Sequence, residues 1–172
     1  SNEYLQVPLA MRYYQYQRMF SVGLSRLLRA NAEIRALVPQ LSIVAPATGG
    51  LPVAYGVCEA LRAKQVYWGE TDQNGGSMRF RQYLEQNPGE QVILVDDILR
   101  TGNKLSQLKK LLHSRGAQVL ALAVIIYQPN PQIADFGSLP LYYLAKLEAS
   151  YYADSVHCEL CKRGVPLEKV LT

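Results

Sequence analysis

One stretch limits the possible folds of this chain more than any other: it runs from Val92 to Leu105 and reads VILVDDILRTGNKL. Its first four residues are apolar and partly β-branched, which is typical of a buried strand too short to be a helix. The strand ends on two aspartates, Asp96 and Asp97, and after a Thr-Gly-Asn turn apolar residues recur at helical spacing over 105–112. The sequence therefore predicts a strand, an acidic tip, a tight loop and a helix, in that order.

This order of elements indicates a site for an anionic ligand. Open α/β sheets bind ligands at the carboxyl ends of parallel strands, which is where the predicted loop lies. Backbone amides of Thr101–Leu105 can hold a phosphate at the start of the helix, and Gly102 permits a close approach of the backbone. Asp96 and Asp97 suit a ribose diol or a metal ion bound to it. The simpler alternative is an ordinary α/β unit whose carboxylates face solvent.

The stretch resembles the 5-phosphoribosyl diphosphate (PRPP) motif of type I phosphoribosyltransferases, which has an apolar strand, an acidic pair, a short apolar run and Thr-Gly. The resemblance implies that the acidic pair contacts the 2′- and 3′-hydroxyls of the ribose, while the loop holds the 5′-phosphate. The predicted PRPP-binding residues are Arg100, Thr101, Gly102, Asn103, Lys104 and Leu105. Arg100 replaces a small hydroxyl residue and Lys104 replaces a Ser or Thr. Both departures add positive charge, which either strengthens phosphate binding or accompanies a different ligand.

A second glycine-rich turn lies one strand–helix unit earlier in the chain. Leu41–Ala45 is predicted to be the first core strand, 53–63 is predicted to be a helix, and the sequence PATGGLP lies between them at 46–52. A glycine pair in this position lets backbone amides face an anion. The turn resembles the pyrophosphate loop of the same family, in the form found in orotate phosphoribosyltransferases. The predicted pyrophosphate-loop residues are Ala47, Thr48, Gly49 and Gly50.

Residues 70–78 resemble the flexible loop that closes over the reaction centre in this family. They connect a predicted strand at 65–70 to another at 78–84, whose two arginines share one face. The predicted flexible-loop residues are Glu70, Thr71, Arg79 and Arg81. Family members usually carry a basic residue after the glutamate, whereas this chain has Thr71, so weak turnover is expected. The simpler interpretation is an ordinary hairpin with solvated arginines.

The remaining segments complete the expected fold. An aromatic, amide-rich segment over 4–18 precedes an amphipathic helix over 19–37 that is broken near Asn31. Tyr13 and Tyr14 are expected to pack or to form an interface; alternatively they cover the base, as the orotate branch implies. Three further elements are predicted: a central strand at 119–127, a loop at 129–140 and a last strand at 141–148. The resemblance implies that this loop and last strand line the base pocket, but no base-reading residue stands out.

The tail contains Cys158 and Cys161 in a Cys-x-x-Cys pattern, preceded by His157. Two cysteines make half of a tetrahedral zinc site, and a histidine supplies at most a third ligand. The pattern, followed by Gly-x-Pro-Leu, also resembles the tail of several bacterial and archaeal orotate phosphoribosyltransferases. We expect a structural tail without tightly bound zinc.

Length and composition are those of one soluble domain. The chain has 172 residues, of which 49% are hydrophobic and 19% charged, and its net charge is +4. Within this domain we distinguish an N-terminal segment at 1–40, a core at 41–148 and a tail at 149–172. No apolar run is long enough to span a membrane, no secretory signal opens the chain, and three cysteines do not indicate a disulfide framework. We therefore expect a cytoplasmic protein with no membrane or nucleic-acid partner.

These observations predict an α/β fold with a mostly parallel central sheet flanked by helices. The resemblance implies an enzyme, a pentosyltransferase that moves phosphoribosyl from PRPP to a base and releases pyrophosphate. Orotate is the favoured base. Mg²⁺ is the expected cofactor, held through ligand and water without direct protein ligands, and a homodimer is the expected assembly. Two alternatives remain open: a transferase for another base, and a non-catalytic PRPP-sensing domain.

Overall fold

The computed structural model describes residues 5–71, 76–80, 88–152 and 154–166. Six strands form one sheet, and helices cover both of its faces. The strands are β1 (Ser42–Pro46), β2 (Gln65–Thr71), β3 (Met78–Arg79), β4 (Gln91–Leu99), β5 (Gln118–Tyr127) and β6 (Leu141–Lys146). The helices are α1 (Val7–Met11), α2 (Tyr14–Ala30), α3 (Ala32–Leu37), α4 (Gly50–Leu61), α5 (Asn103–Ser114) and α6 (Glu159–Lys162). The predicted fold class is confirmed.

The strand order β3-β2-β1-β4-β5-β6 creates a reversal in the middle of the sheet. All neighbouring strands are parallel except β2 and β3, which are antiparallel. From β1 the chain crosses through α4 to β2, and it then returns to place β4 on the other side of β1. Ligands of open α/β sheets bind beside such a reversal, at the carboxyl ends of the two strands. The predicted central position of the 119–127 strand is confirmed, because β5 lies between β4 and β6.

The sheet buries both faces in two apolar clusters. Helices α1 to α4 cover one face, where Ile43 and Val95 point, and α5 covers the other, where Val44 and Leu94 point. Because alternate residues of β1 and β4 enter different clusters, both strands need nearly continuous apolar sequence. This requirement explains why a run of apolar residues precedes the acidic pair.

β4 is longer than the predicted strand and contains both aspartates. The strand was expected to end on Asp96 and Asp97, and it continues two residues further, to Leu99. Parallel pairing with β5 continues through Ile98, opposite Ile126, and through Leu99 beyond it. Hydrogen bonding to this neighbour overrides the low strand propensity of aspartate.

The N-terminal segment is more helical than expected. α2 begins at Tyr14, five residues before the predicted start, and the predicted break at Asn31 is confirmed. The Asn31 side-chain oxygen accepts hydrogen bonds from the backbone N–H groups of Glu33 at 2.9 Å and Ile34 at 3.2 Å. These bonds cap α3 and start a new helix after the break.

The β2–β3 hairpin and the last strand differ in detail from the prediction. Thr71, expected in the flexible loop, is the last residue of β2. β3 holds only the first two residues of the strand predicted at 78–84; Phe80 lies outside it, and 81–84 fall outside the described residues. β6 ends two residues before the predicted boundary of 148. None of the helices in the described ranges is long and apolar enough to cross a membrane.

Candidate functional site

Two glycine-containing loops leave the sheet side by side. We call residues 47–50 the first glycine loop and residues 100–103 the second glycine loop; they follow β1 and β4 respectively. These strands are paired in parallel, with Ser42 opposite Val92 and Val44 opposite Leu94. Parallel pairing brings both carboxyl ends to the same edge of the sheet, at the reversal in strand order. The sequence placed both loops in one site, and the structure brings them together.

The first glycine loop lies directly against the acidic pair. A Cβ atom added to Gly49 would be 3.3 Å from both carboxylate oxygens of Asp97. A Cβ atom added to Gly50 would be 3.1 Å from Oδ1 of Asp96 and 2.9 Å from the Cβ atom of Ala45. Gly49 has φ −61° and ψ −35°, a conformation open to any residue. Both glycines therefore provide space: a side chain at Gly49 would press on Asp97, and one at Gly50 would press on Ala45 and Asp96.

The two carboxylates of the acidic pair are almost buried. Asp96 is 9% exposed and Asp97 is 8% exposed. The backbone N–H of Asp97 donates to Asp96 Oδ1 at 3.0 Å, and the N–H of Ile98 donates to Asp97 Oδ1 at 2.8 Å. Burial raises the pKa of Asp96 well above its usual value, and the adjacent charge of Asp97 raises it further; the charge of Lys104 acts in the opposite direction. The acidic pair therefore favours a hydrogen-bond donor or a cation that would relieve this repulsion.

The second glycine loop turns the chain sharply into α5. Gly102 has φ +72°, which favours glycine, and it immediately precedes the helix. The side-chain oxygen of Thr101 accepts from the N–H of Asn103 at 3.4 Å, and the carbonyl of Gly102 accepts from the N–H of Ser106 at 2.8 Å. The first N–H groups of a helix have no partner within it, and at the start of a twelve-residue helix they provide an anion-binding surface. Lys104, exposed in the same turn, adds positive charge.

A third segment supports the second glycine loop, and the sequence did not reveal it. We call residues 128–140 the bracing loop. The N–H of Ala134 donates to the carbonyl of Thr101 at 2.7 Å, and the N–H of Gln128 donates to the carbonyl of Leu99 at 2.9 Å. The ring of Phe136 lies so close that a Cβ atom on Gly102 would be 2.8 Å from it. A lone aromatic residue in a loop rich in proline is the only sequence signal for this contact.

Three of the predicted flexible-loop residues, Glu70, Thr71 and Arg79, lie in the β2–β3 pair, and the end of β2 contacts the first glycine loop. The N–H of Ala47 donates to the carbonyl of Gly69 at 2.8 Å, which joins that loop to the end of β2. Glu70 is opposite Arg79 and Thr71 is opposite Met78 in the β2–β3 pair. Glu70 also accepts a hydrogen bond from the indole N–H of Trp68 at 3.0 Å. Residues 72–75 and Arg81 lie outside the described residues.

The remaining candidates lie in other parts of the fold. Tyr13 and Tyr14 are 60% and 72% exposed, and the hydroxyl of Tyr14 accepts from Arg18 at 2.8 Å. Cys158 is buried just before α6, and a hydrogen bond to it is the main reason that the pKa of the Cys161 thiol is raised. Within the described ranges, no group of three or more His, Cys, Asp and Glu side chains is placed to hold a metal ion. The expectation of a tail without tightly bound zinc stays a prediction.

Together, the two glycine loops and the acidic pair can hold a ligand with anionic ends and a polar middle. The start of α5 offers backbone N–H groups to an anion, and Asp96 and Asp97, which lie against the first glycine loop, offer acceptors for hydroxyl groups. The site is held at the end of a buried sheet, so its groups are positioned before a ligand arrives.

Comparison with known proteins identifies chains of similar sequence. The profile of the phosphoribosyl transferase domain matches residues 31–136. The orotate phosphoribosyltransferase of Carboxydothermus hydrogenoformans is 31% identical over 169 residues, which cover 98% of this chain and 83% of the relative.

Solved structures share the fold at lower sequence identity. The crystal structure of Mycobacterium tuberculosis orotate phosphoribosyltransferase in complex with PRPP has a TM-score of 0.61 at 17% identity, covering 85% of this chain and 82% of its own. The adenine phosphoribosyltransferase of Thermoanaerobacter pseudethanolicus has a TM-score of 0.65 at 13% identity, covering 84% and 88%. Because proteins named for different bases share this fold, the fold does not select the base.

Proposed function

We propose, from the premise that this chain belongs to the phosphoribosyl transferase family, that it transfers phosphoribosyl from PRPP to orotate and releases pyrophosphate. The observation that carries the proposal is the contact between the first glycine loop and the acidic pair, where Gly49 meets Asp97 and Gly50 meets Asp96. This contact brings a pyrophosphate cradle and a ribose-binding pair within one ligand's length. The curated relatives named as orotate phosphoribosyltransferases support the choice of base.

Each part of the site has a separate role in this reaction. Amides of the first glycine loop hold the pyrophosphate, and those of Thr101–Leu105 hold the 5′-phosphate. Asp96 and Asp97 bind the ribose hydroxyls and stabilise the positive charge that develops at C1 of the sugar. Holding PRPP at both ends fixes C1 beside the base, so the protein contributes positioning and charge stabilisation and not a covalent intermediate.

The acidic pair also fits the expected Mg²⁺ ion. Mg²⁺ prefers carboxylate and phosphate oxygens and keeps several water ligands, so it is usually held by substrate phosphates and one or two carboxylates. Burial raises the pKa of Asp96 and the neighbouring charge of Asp97 raises it further, and a nearby cation would favour the ionised carboxylate. When bound, the ion would neutralise charge on the departing pyrophosphate. Asp96 and Asp97 would orient it through water and the ribose hydroxyls.

Product analysis tests the reaction and the base together. Purified protein is incubated with PRPP, Mg²⁺ and a panel that contains orotate, uracil, adenine, guanine and hypoxanthine, and nucleotides are separated by chromatography. We expect orotidine 5′-phosphate and pyrophosphate in equal amounts. A different nucleotide would reassign the base while keeping the family reaction, and PRPP binding without any nucleotide would favour the sensor alternative.

The sensor alternative has a specific basis in Thr71. The resemblance implies a basic residue at this position, and Thr71 instead closes the short pair of β2 with β3, opposite Met78. We expect slow orotate turnover in the wild type. Thr71→Lys should raise kcat by up to about a hundredfold, since one charged contact in the transition state is worth roughly that much. Thr71→Gln, of similar length without charge, is the matched control and should leave kcat unchanged.

We also propose a homodimer. Apolar side chains in the N-terminal segment are exposed to an unusual degree: Leu9 is 50% exposed, Tyr14 72% and Met19 57%. The exposed apolar side chains of this segment are our reason for placing the interface there. Light scattering should give twice the chain mass of 19.3 kDa. A mass of one chain at micromolar concentration would contradict the proposal.

A further inference from the structure

Two cysteine thiols contact each other in the tail, and the proposed transferase reaction uses neither of them. Cys158 is 0% exposed and Cys161 is partly exposed, and both are free thiols. A hydrogen bond with Cys158 is the main cause that raises the pKa of the Cys161 thiol, so the two side chains meet. The Cys-x-x-Cys pattern of the sequence is therefore a pair of neighbouring sulfur atoms in the fold.

The backbone of the tail holds the pair in one helical turn. Cys158 immediately precedes α6, and its carbonyl accepts a hydrogen bond from the N–H of Lys162 at 3.0 Å. The N–H of Cys158 donates to the carbonyl of Ser155 at 3.3 Å, which fixes the chain before the helix. Residues three apart in such a turn have Cα atoms roughly 5 Å apart, within the range of about 4.4–6.8 Å that disulfides adopt. This backbone is therefore compatible with a bond between the two sulfur atoms.

The two thiols differ in their access to solvent. Thiol–disulfide exchange needs one accessible thiol that attacks the oxidant and a second thiol that resolves the mixed disulfide. Cys161 is the accessible member, whereas Cys158 is enclosed by the protein and lies beside the Cys161 sulfur. The burial of the pair therefore sets an order of reaction, in which Cys161 reacts first and Cys158 second.

Three other uses of such a pair fit the structure less well. A disulfide that closes so short a loop removes little freedom from the unfolded chain, so it would stabilise the fold only slightly. A structural zinc site has four ligands, and the described ranges contain no group of three or more His, Cys, Asp and Glu side chains placed for a metal. A thioredoxin-like oxidoreductase carries its pair near a βαβ unit, whereas this pair follows β6, the last strand in the described ranges. The geometry instead supports reversible oxidation of the pair itself.

We propose that Cys158 and Cys161 form a reversible modification site, which small-molecule disulfides such as glutathione disulfide oxidise to an intrachain disulfide. The thiolate of Cys161 attacks one sulfur atom of the oxidant, and the first glutathione thiol leaves. Cys158 then attacks the Cys161 sulfur of the mixed disulfide, and the second glutathione thiol leaves. The pair loses two electrons and two protons, which the two released thiols carry away. This site goes beyond the transferase reaction and does not depend on it.

The test follows the thiols of the full chain by mass spectrometry. The folded protein is equilibrated with mixtures of reduced and oxidised glutathione and quenched with acid, and the remaining thiols are alkylated. Trypsin cuts after Lys146 and Lys162, so one peptide, 147–162, contains both cysteines. We expect this peptide to lose two hydrogen atoms in a single step while Cys58, the third cysteine of the chain, stays reduced. Dithiothreitol should restore both thiols.

Three serine variants test the order of reaction, with circular dichroism to verify each fold. Cys158→Ser removes the resolving thiol, so Cys161 should accumulate a mixed disulfide with glutathione. Cys161→Ser leaves only the buried thiol of the pair, which should react at least about tenfold more slowly than Cys161 does. Cys58→Ser is the matched control: the thiol of Cys58 donates to the carbonyl of Ala63 at 3.5 Å within another part of the fold, and its loss should leave oxidation of the pair unchanged.

Several outcomes would overturn the inference while leaving the transferase proposal intact. The peptide 147–162 could stay fully reduced in excess glutathione disulfide, although the urea-unfolded chain is oxidised. Metal analysis could find one zinc ion per purified chain, released when the two thiols are blocked. Equal formation of mixed disulfide in Cys158→Ser and Cys161→Ser would contradict the order of reaction that burial sets.

Discussion

The two glycine loops carry the same sequence signal for different physical reasons. In the first, Gly49 has an ordinary backbone conformation, and its missing side chain makes room for the carboxylate of Asp97. In the second, Gly102 has φ +72° and lies against the ring of Phe136. The first glycine loop is thus shaped by the site it faces, whereas the second is shaped by the turn it makes and by the bracing loop behind it.

Because of this difference, effects on ligand binding can be separated from effects on folding. A side chain at Gly49 should disturb the acidic pair and leave the fold largely intact, because the φ and ψ angles of Gly49 are open to any residue. A side chain in the second should cost folding free energy before any ligand is considered, because both its φ angle and its packing are affected.

The largest expected effect comes from the acidic pair, which both loops depend on. The double change of Asp96→Asn and Asp97→Asn should weaken PRPP binding in the presence of Mg²⁺ by roughly a hundred- to ten-thousandfold, since two charged hydrogen bonds are worth about 3–6 kcal/mol. Isothermal calorimetry measures the affinity, and circular dichroism verifies the fold. Asp135→Asn in the bracing loop is the matched control and should bind PRPP normally. Unchanged affinity in a folded double variant would contradict the assignment.

The second glycine loop is tested by comparing two glycines that both have positive φ. Gly102→Ala should lower the free energy of unfolding by about 2–4 kcal/mol, from backbone strain together with the clash against Phe136. Gly89, with φ +83° and nothing within 4 Å of an added Cβ atom, provides the control. Gly89→Ala should cost only the strain of about 1–2 kcal/mol. If urea denaturation gave equal losses of unfolding free energy for Gly102→Ala and Gly89→Ala, the contact with Phe136 would contribute nothing to stability.

The first glycine loop should respond in affinity and not in stability. In Gly49→Ala the new methyl group would be 3.3 Å from the carboxylate oxygens of Asp97, so the carboxylate must move by a few tenths of an ångström. We expect the affinity for pyrophosphate with Mg²⁺ to fall about tenfold, and the free energy of unfolding to change by less than about 1 kcal/mol. A large loss of stability with unchanged affinity would reverse the contrast between the two loops.

The smallest effect concerns pH. Because the pKa of Asp96 is raised in the folded protein, the native state binds more protons than the unfolded state above about pH 4, and stability falls as pH rises through this window. Asp96→Asn removes the titrating group, so its advantage in melting temperature over the wild type should grow from pH 4 to pH 8. A constant difference across this range would contradict the expectation.

A carboxylate with the opposite shift provides the control for that measurement. Hydrogen bonds from the backbone and side chain of His157 lower the pKa of Asp154 at the surface. The native state therefore favours ionised Asp154, and its stabilising effect is present above about pH 4 and lost below it. Asp154→Asn should lower the melting temperature at neutral pH, by less than a buried group would because solvent screens the contact.

The sequence alone determined the local units of the site. The strand, acidic pair, glycine turn and helix were predicted from Val92–Leu105 because each depends on residues close together in the chain. The family and the α/β sheet were likewise predicted correctly, as was the break at Asn31, where a short side chain caps the next helix. The identity of the base, the Mg²⁺ ion and the dimer stay predictions.

Only the tertiary structure decided which of these units meet. The position of Asp96 and Asp97 inside β4 follows from pairing with β5, and the contact of the first glycine loop with the acidic pair follows from the place of β4 beside β1. The bracing of Gly102 by Phe136 also arises between segments far apart in sequence. Such contacts leave no periodicity or spacing in the chain, because they are selected by the burial and hydrogen bonding of neighbours that only the folded sheet brings together.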